Sequence, residues 1–555
     1  MIPLNNKEKN AIRDWFIKGR IKGYICGPFD DNYKFPWPLH ISPLFVVPKP
    51  LKDEYRPICH LSHKQNENQY SVNDILSEDE KHVQYVQFKE IVEMMLNAGK
   101  NAYMWTIDAQ DAYYRVPIHR DDYKYMGLKW ENQKWIFLSL QMGLASAPKI
   151  YTRFGDAVEY IIINNNKKDA YINGKQSIRH YLDDYFGVGV TKAQADILFN
   201  ATIQWFNKLN IPTQPRKCSP SNRKQLLLGW RWNSCKLWCE LTKKKQKKAL
   251  ARLRAFLRDK KCTKKQMERL VGILQHISLI IFPGKTFVRR FEILIHKSFI
   301  NDHDIIEIDD WIMEDVHWWI WVLEKQTHVR AKYTYLLKKP SAVTKHIWTD
   351  AASTIGIGGI LDDKVYQIKW ENTKLNELIA ARGTFDIHAQ EMLGALVAVK
   401  LWAPTLTGEC VALYNDNPGA AGAIITKAPP LHRLDMQYMI RELAKLSVKY
   451  KFYFWGIKVD GANNEKADAL SRFKDLEFFN VDDSKCDMVN FTDTQYIVNE
   501  YMDGLIQYRK NVDPKIKKWD MYALTEINIR RNRRMGREID DCSFAIVQNE
   551  SDYIL

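Results

Sequence analysis

Residues 179–190 read RHYLDDYFGVGV, and two adjacent acids, Asp183 and Asp184, stand there between an aromatic and a run of small or β-branched residues. Neighbouring carboxylates repel, and burial beside apolar strands raises the cost of both charges. Something cationic has to offset them. Upstream, TIDAQDAYYRVPI (106–118) ends an apolar run on Asp108 and continues through Asp111, Ala112 and Tyr113. If Asp108 and the 183/184 turn lie on neighbouring strands, three carboxylates converge on one sheet edge. Hard divalent cations prefer such oxygen donors, and two of them about 3.5–4 Å apart activate an attacking oxygen and stabilise a leaving one. YLDD alone is equally compatible with two solvated turn aspartates beside an unrelated acid.

The rest of the chain narrows the partners. It has 555 residues, 46% of them hydrophobic, with 82 Lys and Arg against 66 Asp and Glu, a formal charge of +16. That length predicts several domains with true cores, and that excess favours a polyanion. Nine cysteines, odd in number and scattered, argue against a disulfide framework and for a reducing compartment. The Cys235/Cys239 pair has no second pair at zinc-finger spacing. No leader is expected at the start of the sequence, and apolar runs such as ISLIIF (277–282) are far too short to span a bilayer. The expectation is an intracellular protein, cytoplasmic or nuclear, with no membrane partner.

Strand-like runs (SPLFVVPK, 42–49; MWTID, 104–108) alternate with helical segments such as 147–162 up to about residue 240, which reads as α+β or α/β. Between Leu241 and Leu270 thirteen basic residues face two acidic ones. Leu250, Leu253 and Leu257 there predict a basic amphipathic helix, and Thr263 with Gln266 a capping box opening a second. In WIMEDVHWWIWVL, Trp311, Trp318 and Val322 share a face read as core rather than as a base-stacking platform. After Pro340 a second alternation begins, with a helix through AQEMLGALVAVKLW (389–402).

TIDAQDAYYRVPI, LQMGLASAP (140–148), YLDD, the lysine of PRKC (215–218) and LLGW (227–230) together resemble, in order and spacing, the palm motifs of reverse transcriptases. SPLFVVPKPLKDEYRPICHLS (42–62) is similar to their fingers segment. With HLS and SVND (71–74), the closest resemblance is to DIRS-type, tyrosine-recombinase retrotransposons, related to the long-terminal-repeat group. The resemblance implies an α+β multidomain right-hand polymerase with fingers and palm over 1–240 and a helical thumb or connection over 241–340. An α/β ribonuclease H-like domain is implied over 341–475, and 476–555 is an extension without an assigned role.

By the same resemblance, Asp108, Asp183 and Asp184 are the metal-binding acids of polymerisation and Lys217 donates a proton to the leaving pyrophosphate. Lys49 and Arg56 meet the triphosphate, Asp111 and Ala112 approach it through their backbone, and Tyr113 excludes a 2′-hydroxyl. Met142 and Gly143 border the nucleotide, Met142 standing where relatives usually have glutamine or an aromatic. On charge alone, Lys49 and Arg56 are equally readable as solvated residues.

Asp350 in WTDAAS, Glu391 in AQEMLG, Asp416 in YNDNPG and Asp468 in KADALSR look like the four carboxylates of a ribonuclease H. Such a site cuts the RNA strand of a hybrid, recognised by its 2′-hydroxyls. The loop WGIKVDGANNEKAD (455–468) has Lys458 roughly where many such domains carry a histidine. Lys458 is either an electrostatic substitute in a slower nuclease or a solvated loop charge.

The expected activity is therefore RNA- and DNA-templated DNA synthesis with ribonuclease H cleavage in retrotransposon replication. Two magnesium ions per site, or manganese, are expected, with RNA template, DNA primer, RNA–DNA hybrid and deoxynucleoside triphosphates as partners. No protease or integrase pattern is visible, so a separate recombinase is expected. KKKQKK (243–248) and RRNRR (530–534) are phosphate contacts or nuclear import signals. The alternatives are a host-adopted reverse transcriptase and a non-catalytic nucleic-acid-binding subunit; retention of all seven carboxylates speaks against the latter.

Overall fold

Alternation in YMWTID makes β5 (Tyr103–Asp108) a strand with Trp105 and Ile107 on one side, and that side carries its core. We describe the protein from a computed structural model covering residues 5–48, 54–64, 70–281, 283–298, 304–325, 329–337, 343–376, 386–430, 432–474, 487–488 and 491–510. It divides into two units, Met1–Glu240 and Leu241–Leu555.

In the first unit, α1 (Asn6–Ile21) precedes β1 (Ile25–Asp30), β2 (Ile41–Ser42) and the hairpin of β3 (Leu44–Pro48) and β4 (Tyr55–Cys59). After α2 (Phe88–Ala98) comes β5, then β6 (Gly127–Trp130) and β7 (Gln133–Phe137), which join β1 and β2 in the order β1-β7-β6-β2. The chain continues through α3 (Ala147–Asn165), β8 (Ile178–Tyr181), β9 (Asp184–Gly189), α4 (Lys192–Lys208) and β10 (Ser219–Asn222). Strands β8-β9-β5-β10 form an antiparallel sheet. Trp105 and Ile107 bury against Val158 and Ile162 of α3 and Leu198 and Phe206 of α4. Gly187 stands opposite Trp105 in register, and a Cβ there would collide with the indole. Only glycine lets β9 pair closely over so large a ring.

The second unit opens with α5 (Lys243–Asp259), α6 (Lys264–Ile277), α7 (Arg289–Ser298) and α8 (Asp310–Glu324). The Thr263–Gln266 capping box is present. In α5 the buried ridge is Ala249, Leu253 and Phe256 rather than Leu250, Leu253 and Leu257; the i, i+4, i+7 set shifts one position so that the aromatic goes inside. In α8, Trp311, Trp319 and Val322 are buried, while Trp318 stacks on Phe287 with centroids 3.7 Å apart. The tryptophan-rich helix is core.

A mixed sheet follows, built from β11 (Lys345–Ala352), β12 (Gly356–Leu361), β13 (Lys364–Lys369), β14 (Cys410–Asn415) and β15 (Tyr453–Lys458). Helices α9 (Ile387–Trp402), α10 (Pro418–Thr426), α11 (Leu434–Tyr450) and α12 (Glu465–Ser471) are interspersed. Beyond residue 476, Asp487–Met488 adds β16 parallel to β13, completing the order β15-β14-β11-β12-β13-β16, and α13 spans Phe491–Lys510. Helix α9 is buried on every side from Ala389 to Val399, mostly by apolar residues but with Gln390 and Glu391 among them. It lies between the sheet and helices α11 and α13, so no polar stripe is left to face water. Val498, Tyr501, Met502 and Leu505 of α13 belong to that core. Asp315 of α8 is fully buried between Arg290 of α7 and Arg441 of α11, its Oδ1 2.6 Å from the Arg441 guanidinium. No described helix is long and apolar enough to cross a membrane.

Candidate active sites

The YLDD turn is a tight reversal in which Leu182 takes a left-handed conformation, φ 51°. Asp184 leaves it as the first residue of β9, directly opposite Asp108 at the end of β5, and the Ala109 amide donates to the Asp183 carbonyl at 2.8 Å. Directly paired residues of an antiparallel sheet project to one face, so Asp108 and Asp184 share a side of the sheet.

The cation is Lys217. Its Nζ donates to Asp108 Oδ2 at 2.6 Å, placed there by a short helical turn, Pro215–Lys217, tied to β5 through Gln214 N and Asp108 O at 2.9 Å. The pairing raises the Lys217 ammonium above its usual value. Burial, then the neighbouring acids, raise the Asp184 carboxyl to about 6; burial likewise raises Asp183, helped by the charge on Asp108 and opposed by Lys217. Burial and mutual repulsion thus raise the proton affinity of Asp183 and Asp184, as expected of oxygen donors placed for a hard cation, but the three carboxylates do not converge as the sequence led us to expect: their oxygens do not all lie within 4.8 Å of one another, and Asp108 is bonded to Lys217.

Most of the other residues expected to meet a nucleotide lie among the described ones. Asp111 is left-handed, φ 56°, and its carboxylate accepts from Lys22 at the end of α1. Ala112 opens the helical turn Ala112–Arg115. The Tyr113 ring is half-buried edge-on to Tyr151, centroids 5.5 Å apart, and burial raises its phenol to about 12. Arg56 on β4 is exposed. Arg56, Asp111, Tyr114, Met142, Lys18 of α1 and Lys22 just after it line one cavity of about 720 Å³. Gly143 follows Met142 at φ +103°. Lys49 and RRNRR lie outside the described residues.

In the second unit, Asp350 on β11, Glu391 on α9 and Asp416 just past β14 bring one carboxylate oxygen each to within 4.8 Å of the others, the only such acid set among the described residues. Burial and mutual repulsion raise Glu391 to about 9 and Asp350 to about 6, and raise Asp416 as well. Ser471 Oγ donates to Asp350 Oδ2 at 2.6 Å and Asn415 Nδ2 to Glu391 Oε2 at 2.9 Å. Asp468 is not in the 4.8 Å set, though its charge helps raise Asp350 and Asp416; it pairs with Arg472, one turn on in sequence, at 2.6 Å and with Lys474 at 3.4 Å. Lys458 is exposed and in register with Asn415, next to Asp416. A histidine does stand near this site, His388, one turn before Glu391, with Nδ1 2.6 Å from Asn417 Oδ1.

Sequence reasoning passed over Lys22, Ser471, Asn415 and His388. Asn415 and Ser471 stand inside YNDNPG and KADALSR, where the neighbouring acid drew the reading, whereas Lys22 and His388 lie outside every motif.

Residues 47–263 match the family model "Reverse transcriptase (RNA-dependent DNA polymerase)". No curated protein sequence matches the chain. Among solved structures, a foamy viral protease-reverse transcriptase designated dRH, in complex with double-stranded DNA, is similar at 15% identity and TM-score 0.45, over 83% of this chain and 72% of that one. A second foamy viral protease-reverse transcriptase complex with double-stranded DNA gives 15% identity and 0.44 over 82% and 85%. The same kind of enzyme with an RNA/DNA hybrid gives 12% and 0.41 over 84% and 77%. With the paired aspartates facing Asp108 across an antiparallel sheet, residues 47–263 are a reverse transcriptase domain.

Proposed function

We propose that the chain synthesises DNA on RNA and DNA templates and cuts the RNA strand of the resulting hybrid, as the enzyme of a DIRS-type retrotransposon whose recombinase is a separate protein. The observation that carries the reading is the Asp108–Asp183–Asp184 cluster inside a reverse transcriptase domain; the Asp350–Glu391–Asp416 triad supports the nuclease. Bound by these two acid sets, magnesium ions, with manganese as a substitute, would neutralise charge on the attacking and leaving oxygens of both reactions. In the polymerase, Lys217 gives up a proton from Nζ to the departing pyrophosphate. Arg56, together with Lys49, holds the triphosphate, while Asp111 and Ala112 approach it by their backbone. Tyr113 closes the space a 2′-hydroxyl would need. In the nuclease, Asp468 and Lys458 act at the rim, where Asp468 is paired with Arg472 and Lys474.

The test separates the two sites in one polypeptide. Asp183→Asn is expected to reduce primer extension at least a hundredfold while hybrid cleavage stays within about twofold, and Glu391→Gln to do the reverse. Extension by Asp183→Asn at the wild-type rate would overturn the polymerase assignment. Unchanged cleavage by Glu391→Gln would overturn the nuclease assignment, and a wild-type protein that binds hybrid but performs neither reaction would favour the non-catalytic reading.

A further inference from the structure

Asn73 lies in SVND, a segment with no acid or cation of the polymerase cluster. Its side chain nonetheless ties together two stretches that border the nucleotide cavity. Nδ2 donates to the Gly143 carbonyl at 2.9 Å and to Ser62 Oγ at 2.8 Å, and Oδ1 accepts from the Ala145 amide at 2.9 Å. Its own backbone amide donates to the Leu61 carbonyl at 3.0 Å. The Ala145 N–H must meet an oxygen and the Gly143 carbonyl a donor, so the amide has one possible orientation. Asp offers no donor, and Leu offers neither group.

What the amide holds is the turn at 142–145. Gly143, at φ +103°, lies so close to β4 that a Cβ would stand 3.0 Å from the Cys59 carbonyl. Met142, the residue before it, is 49% exposed and lines the cavity it shares with Arg56 and Asp111. A methionine side chain is too flexible to fix its own place, so the backbone has to fix it. Asn73 therefore determines how far the Met142–Gly143 turn stands from β4 and its Arg56.

We infer that Asn73 is a positioning residue for the incoming deoxynucleoside triphosphate, acting through Met142 and Gly143; this role rests on the polymerase reading. Without the amide, the turn loses its tie to Ser62 and the nucleotide-facing surface loosens, while the metal-binding acids at the YLDD turn are untouched. The effect belongs in nucleotide binding rather than in chemistry or hybrid binding.

Single-nucleotide primer extension with the full chain tests it. Asn73→Ala and the isosteric Asn73→Asp are both expected to raise the KM for nucleotide about five- to tenfold, with kcat and primer–template affinity within twofold of wild type. Asp is expected to do no better than Ala, because it loses both donors and sets a charge against the Gly143 carbonyl. Adding Met142→Ala to Asn73→Ala should raise KM no further than the single change. Ser62→Ala, which removes one of the three bonds, should move KM in the same direction by less, and it keeps the test open if the Asn73 variants do not fold. A wild-type KM in Asn73→Asp would mean that Asn73 only fills space. A parallel fall in kcat and hybrid binding would mean general disruption, and independent effects of Asn73 and Met142 would mean they do not act together; each overturns the inference alone. A wild-type chain unable to extend primers would overturn the polymerase reading and this role with it.

Discussion

Glu391 carries the largest shift among the clustered acids, to about 9, because it is buried first and faces Asp350 second. An acid whose folded value lies above its unfolded one binds more protons folded than unfolded, so its contribution favours folding at low pH and is lost as pH rises between the two values. Metal-free protein is thus expected to lose stability between about pH 4.5 and pH 9, by no more than about 1.4 kcal/mol per pH unit from this one group. Magnesium should flatten that slope by supplying the missing positive charge, and Glu391→Gln should flatten it without metal. Thermal unfolding midpoints across that range, with magnesium and with a chelator, check this; a slope unaffected by either change would refute it. At this scale the acids were legible because a carboxylate beside small residues at a strand end is conspicuous in a sequence. Their counter-groups were less so. Lys217 was marked by its motif, yet its bond to Asp108 depends on a turn folded back under β5. Asp468 reads like its three companions, and its pairing with Arg472 and Lys474 depends on how the helix end after it folds.

Among the elements, the strand pair around YLDD and the helix over 389–402 follow from pattern alone: one alternates and reverses, the other carries an apolar run too long for a strand. The register of α5 did not, since leucine spacing is satisfied nearly as well by Leu250 and Leu257 as by Ala249 and Phe256; packing of the aromatic decides. Helix α13 was also hidden. Its buried residues Val498, Tyr501, Met502 and Leu505 follow helical spacing, but the segment lies beyond every motif, so nothing local ties it to α9 some hundred residues earlier. Leu505, 4% exposed, belongs to a core rather than a tail. Leu505→Ala is expected to destabilise the second unit by about 2–4 kcal/mol, read as a lower unfolding midpoint and as weakened hybrid cleavage at elevated temperature. A midpoint unchanged from wild type would show that α13 contributes no packing of consequence.

For the molecule as a whole, a charge of +16 favours a polyanion partner, while acids gather at the YLDD turn and at Asp350, Glu391 and Asp416. Asp315 is buried with no solvent at hand, balanced by Arg290 from its own helical region and by Arg441 from the helix behind the mixed sheet. Removing one partner of such a buried set leaves charge without compensation, at a cost of about 3–5 kcal/mol. Asp315→Ala is expected to lower the unfolding midpoint accordingly, more than Leu505→Ala does, and a smaller loss would mean that Glu314, 2.8 Å from Arg290 and 3.4 Å from Arg441, compensates both guanidiniums by itself. The cluster also bears on ancestry and on engineering. The stretch near residue 340 is where the sequence changes character and where a fragment would naturally be cut, yet a sheet domain excised there would carry Arg441 away from its counter-ion. A sheet grafted onto these helices from another source would have to bring an arginine of its own to meet Asp315. Helices and sheet are in this sense a single heritable piece, exchanged together or not at all.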